Sequence, residues 1–120
     1  MIRGINLSID GSEISDYNLS SGNSIVTDRI LSKENEGFSA IIVELSSGNI
    51  DIEFECSLDG ENFYTPVDTN LNDLGGIVEG LTSSKYIIFE PQPSKYMRFK
   101  ITANSDSIIK SMKYLQVEES

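Results

Sequence analysis

A chain of 120 residues with 19 acidic and nine basic side chains carries a formal charge of −10, a balance that repels phosphate backbones and anionic lipid surfaces. Histidine is absent and Cys56 is the single cysteine. That removes Ser-His and Cys-His catalytic pairs, an internal disulfide and the usual zinc and copper sites. The length gives room for one core, so residues 1–120 read as a single domain.

The longest apolar runs, Ile41-Ile42-Val43 and Ile87-Ile88-Phe89, are three residues each, far short of the roughly 20 that a spanning helix needs. The first ten residues hold an early Arg3 but no sustained apolar stretch and no small-residue cleavage site, so the chain is expected to work where it is made, in a cytoplasm.

In chain order, Ile5, Leu7 and Ile9 alternate as in a strand. Residues 10–23, rich in Ser, Asp, Asn and Gly, form the longest candidate loop. Residues 24–31 suggest a weak strand, and 38–45 (Phe-Ser-Ala-Ile-Ile-Val-Glu-Leu) a stronger, β-branched one. Ser46-Ser47-Gly48-Asn49 then reads as a hairpin turn into 49–58, where Ile50, Ile52, Phe54, Cys56 and Leu58 alternate with Asp51, Glu53, Glu55 and Ser57. Weak strands follow at 62–67 and 76–81. Residues 86–90 and 95–104 look like a strand pair separated by Pro91-Gln92-Pro93-Ser94. In the second of these, Met97, Phe99, Ile101 and Ala103 face one way, and Tyr96, Arg98, Lys100 and Thr102 the other. Residues 108–117 carry both a helical spacing (Ile108, Met112, Leu115) and an alternation (Ile109, Ser111, Lys113, Leu115, Val117); the short turn before them favours a strand. Some eight or nine strands with Gly, Asn and Ser turns predict an all-β, antiparallel, jelly-roll-like sandwich.

Acid-base chemistry would have to rest on carboxylates such as Asp59 with Glu61 or Asp51 with Glu53. Spaced i, i+2 on wet strands, these lack a shaped cleft, so no enzymatic activity and no cofactor are expected. Asp68, Asn70, Asn72 and Asp73 offer oxygen ligands of the kind calcium takes, but the register of a twelve-residue calcium loop fails and a plain Asx-rich turn is the simpler reading. Tyr17, Tyr64, Tyr86, Tyr96 and Tyr114, with Phe63, are the rings available for sugar stacking, Tyr17 and Tyr64 first among them. Cys56 reads as a small buried hydrophobe. Residues 1–84 hold 15 acids and three bases, whereas 85–120 hold four acids and six bases. An acidic face of one copy could therefore meet the basic edge of the next, around Arg98 and Lys100.

Residues 52–68 (Ile-Glu-Phe-Glu-Cys-Ser-Leu-Asp-Gly-Glu-Asn-Phe-Tyr-Thr-Pro-Val-Asp) and 94–103 (Ser-Lys-Tyr-Met-Arg-Phe-Lys-Ile-Thr-Ala) resemble discoidin-like jelly-roll domains. In these a strand ends in Ser-x-Asp-Gly-x-x-aromatic and a later strand carries an Arg-Tyr-Val-Arg-like segment. The resemblance covers about a quarter of the chain. It implies that Asp59 and Gly60 form a structural turn, that Phe63 packs, and that a glycan is one alternative ligand. The same pattern is similar to small stand-alone sandwich proteins of tailed bacteriophages. That implies a virion structural or accessory role in capsid decoration, neck or tail, assembled in the host cytoplasm in many copies, with other phage proteins and copies of itself as partners and without nucleic acid or membrane.

Overall fold

The structure is a computed structural model that describes residues 2–31, 39–91 and 94–117, which are all-β without a helix. The strands are β1 (Ile2–Asn6), β2 (Ser8–Ile9), β3 (Ser12–Glu13), β4 (Tyr17–Leu19), β5 (Ser24–Val26), β6 (Ile30–Leu31), β7 (Ser39–Ser47), β8 (Ile50–Ser57), β9 (Gly76–Leu81), β10 (Lys85–Phe89), β11 (Tyr96–Ala103) and β12 (Ser107–Val117). All pairings are antiparallel. One sheet runs β1-β12-β7-β10, with β4 paired to the start of β12; the other runs β5-β11-β8-β9, with β6 beside β11.

The two sheets form an antiparallel β-sandwich. Period-two patterning sends Ile41, Val43 and Leu45 of β7 and Tyr114 of β12 inward from one sheet, and Ile50, Ile52 and Phe54 of β8 and Met97, Phe99 and Ile101 of β11 from the other. Phe89 sits between them, its ring centroid 5.7 Å from Phe54, 6.1 Å from Phe99 and 6.3 Å from Tyr114. Tilted and edge-on contacts of this kind add to the area that the rings bury.

The strand count exceeds the expected eight or nine because residues 5–9 and 24–31 each divide into two strands and residues 10–23 contain two short ones. Residues 10–23 are not one loop: Asp10 and Gly11, both at positive φ (50° and 81°), turn β2 into β3, and Tyr17–Leu19 pairs with β12. Asp28 fixes that turn by accepting Ser8 Oγ and the amides of Asp10 and Gly11 at 2.8–2.9 Å. Residues 24–31 split where Thr27 intrudes, its hydroxyl accepting the Phe99 amide in place of a backbone carbonyl. Residues 62–67 form no strand, only the isolated bridges Cys56↔Tyr64 and Val67↔Asp73. Phe38, expected to open β7, lies outside the described residues.

Two expected pairings do not occur. Residues 46–49 are not a hairpin, since β7 pairs with β12 and β10 while β8 pairs with β11 and β9. The chain instead arches from one sheet to the other. The arch packs on the β11–β12 arch through Ser107 Oγ, which accepts the Asn49 amide at 3.1 Å, and through the Asn104 amide, which donates to the Asn49 carbonyl at 2.8 Å. Similarly, β10 and β11 lie in opposite sheets and do not pair.

Along β12 the inward positions are Ile109, Met112, Tyr114 and Gln116. The register against β7 shifts between Ile109 and Ser111, so a bulge inserts one residue and reverses which face the odd positions occupy. That three-residue step from Ile109 to Met112 leaves Ile108 on the outer face, so the helical spacing of Ile108, Met112 and Leu115 marks no shared face. It also overturns the alternation from Ile109 to Val117, for Leu115 points away from the core. The segment is central, between β1 and β7, and is not an edge.

Candidate functional site

The 18 residues between β8 and β9 are held by three aspartates. Asp59 Oδ1 accepts Ser57 Oγ and the amides of Glu61 and Asn62, and its Oδ2 accepts Asn62 Nδ2, all at 2.7–3.0 Å. These bonds favour the charged form and hold the carboxyl far below the ordinary aspartate range. Gly60 completes the turn at φ 79°, donating its amide to Ser57 Oγ while its carbonyl accepts Arg29 Nη1. Asp68 Oδ1 accepts the amides of Asn70 and Asn72, and Oδ2 accepts Asn72 Nδ2. Its carboxyl is lowered first by the bonds from Asn72. Asp73 Oδ1 accepts the Gly75 amide at 2.7 Å. Backbone bonds tie the loop to the sheet, joining Tyr64 to Cys56 in both directions and the Phe54 amide to the Gly75 carbonyl.

On this fixed frame five apolar side chains point to solvent among polar ones such as Glu61, Thr65, Thr69 and Asn70. Leu58 is 82% exposed, Leu71 79% and Tyr64 69%, and Val67 and Leu74 are also exposed. Single exposed apolar residues are ordinary, but five on one loop form a concentration of the kind that marks contact surfaces. Leu71 is the sharpest case. Its backbone lies in the left-handed region at φ 63°, where glycine or asparagine fits and leucine costs of order 1 kcal/mol. Neither the turn nor the core requires leucine there.

Beside the loop, on the outer face of the β8–β9 pair, Asp51, Glu53, Asp73, Glu79 and Thr102 line an open groove of about 250 Å³. Asp51 Oδ1 is already occupied by the Gly80 amide and Asn104 Nδ2. Among the described residues, no three His, Cys, Asp or Glu side chains are grouped to hold a metal ion. The four calcium candidates are arranged as an Asx turn, with Asn72 presenting its amide nitrogen to Asp68 and Asp73 turned to Gly75.

The binding residues read from sequence do not converge. Tyr17 is half-buried against the core on β4, whereas Tyr64 is exposed beside Cys56, on the other sheet and toward the opposite end of the sandwich. Tyr114 is no stacking candidate, being wholly buried with its hydroxyl 2.8 Å from Ser39 Oγ. Tyr96 lies beneath Arg29 and Lys95. Arg98 and Lys100 pair across the sheet with Glu55 and Glu53, at 2.7 and 3.8 Å. The Arg98 guanidinium also covers the Phe63 ring at 4.3 Å. Leu58, expected inward, turns outward because Ser57, not Cys56, continues the buried row after Phe54. Cys56 is half-buried, and desolvation raises its thiol pKa, which keeps it protonated and a poor nucleophile.

Sequence reasoning missed Leu58, Val67, Leu71 and Leu74 as surface groups. The available signal was their position among Asp, Asn and Gly, where a turn needs no apolar side chain. No model of a protein family matches the chain, and a search of curated proteins finds no match.

Proposed function

We propose that this chain is a non-enzymatic assembly protein that docks on other proteins through the β8–β9 loop. The observation that carries this reading is the set of five exposed apolar side chains on a loop pinned by Asp59, Asp68 and Asp73. A preorganised apolar surface loses little conformational entropy on binding and yields contact energy efficiently. The setting we favour is the particle of a tailed bacteriophage, where the chain serves as an accessory structural component of head, neck or tail without a cofactor. Support for that setting is the sequence resemblance around Ser57-Leu58-Asp59-Gly60 and Tyr96-Met97-Arg98-Phe99.

The test is whether the chain bands with virions in a density gradient and stays with them through high salt, as an apolar contact would. A glycan-binding module is the second reading, favoured by the exposed ring of Tyr64. It requires a saturable, glycan-dependent rise in Tm that Tyr64→Ala abolishes.

A further inference from the structure

We propose that β10 is a self-association edge, on which two copies of the chain pair antiparallel about a twofold axis through Ile87. Among the described residues β10 has one neighbour, β7, and its other edge is unpaired. It is apolar on both faces. Ile87 and Phe89 pack on the core, whereas Tyr86 and Ile88 point outward, 58% and 66% exposed. That composition belongs to a strand inside a sheet, not to an edge. The outward row continues across the sheet, since Ile88 lies opposite Ala40, which lies opposite Leu115, and Tyr86 lies opposite Ile42.

The remaining edges carry the usual protections against pairing. β9 has irregular register and includes Glu79 and Gly80; β5 and β6 are separated by Thr27–Arg29; β1 contains Arg3 and Gly4; β4 is three residues long. β10 has a single charge, Lys85, at its first position.

A second copy of the same strand fits this edge. Residues directly opposite in an antiparallel pair share a face, so the axis must pass through a residue. Centred on Ile87, the register sets Tyr86 against Ile88 of the second copy twice and Lys85 against Phe89. Glu90 then falls opposite the other copy's Ser84 at each end. The apolar rows join and no like charges meet.

Sedimentation equilibrium of the full chain from about 10 μM to 1 mM reads the association directly, while amide exchange of residues 85–89 reports on the edge. The expected result is a mass that rises above the 13.3 kDa monomer toward twice that value, with exchange in β10 slowing as concentration rises. Ile88→Lys, at an exposed site with Tm as the folding control, should weaken the dimer by about tenfold or more. Leu71→Lys should leave it unchanged, which separates this edge from the docking loop. A monomer across the whole range overturns the proposal. So does a dimer that survives Ile88→Lys but is lost in Leu71→Lys.

Discussion

Arg98 on β11 reaches Glu55 on β8, its Nε 2.7 Å from the carboxylate, and lies over the ring of Phe63. With Lys100 beside Glu53 and Lys110 beside Glu44, three bases of the basic C-terminal segment meet acids of the acidic N-terminal part within one chain. The charge asymmetry in the sequence is thus partly neutralised by folding, and apolar surface is left as the stronger basis for association. A double-mutant cycle on Arg98→Ala and Glu55→Ala should give a coupling of about 0.5–1 kcal/mol that shrinks with salt. Arg98→Ala alone should cost more than Glu55→Ala because it also uncovers Phe63.

Gly48 holds the arch between the sheets. Its φ is 108°, and a Cβ there would lie 2.5 Å from Ser107 Cα and collide with Ser107 Oγ. Gly48→Ala should lower stability by about 2 kcal/mol or more in chemical denaturation. Gly11→Ala, at positive φ in open space, should cost only the backbone term of about 1 kcal/mol.

Hydrogen bonds donated to their carboxylates hold Asp28, Asp59 and Asp68 below the ordinary aspartate range in the folded state. A depressed folded pKa contributes stability that is present above the unfolded value and is lost as pH falls through the folded one. The fold should therefore weaken below about pH 4. Thermal melts from pH 7 to pH 2 should show a gap between wild type and Asp59→Asn that is full at neutral pH and narrows as the solution is acidified below pH 4. A gap independent of pH would remove the ionised carboxylate from the account.

Strand identity was largely legible, and sheet partnership was not. The alternations in β8 and β11 and the limits of β9 at Gly76 and Leu81 could be read directly, because one buried face imposes period two. A four-residue link such as 46–49, however, serves a hairpin or an arch equally well. The choice rests on Gly48 packing against Ser107, 59 positions later. The β12 bulge concealed its phase for a comparable reason, since a bulge answers to the partner strand. At the surface, the Asp59-Gly60 turn was visible from its residue types. The exposure of Leu58 and Leu71 was not, because an apolar side chain in sequence is read as core.

Leu71 should be replaceable at a gain in stability. Leu71→Asn places a residue that tolerates φ 63° at an exposed turn position, and a rise of about 0.5–1 kcal/mol is expected by denaturant titration. A loss of similar size would mean that the leucine supports the loop.

The most direct test of docking through this loop compares wild type and Leu71→Asn for retention on purified virions after density-gradient centrifugation, with Tm measured on the same samples. The account predicts that wild type bands with the particles and that Leu71→Asn, at equal or higher Tm, is largely released. Equal retention of both proteins, or the absence of wild type from the particles, would contradict it.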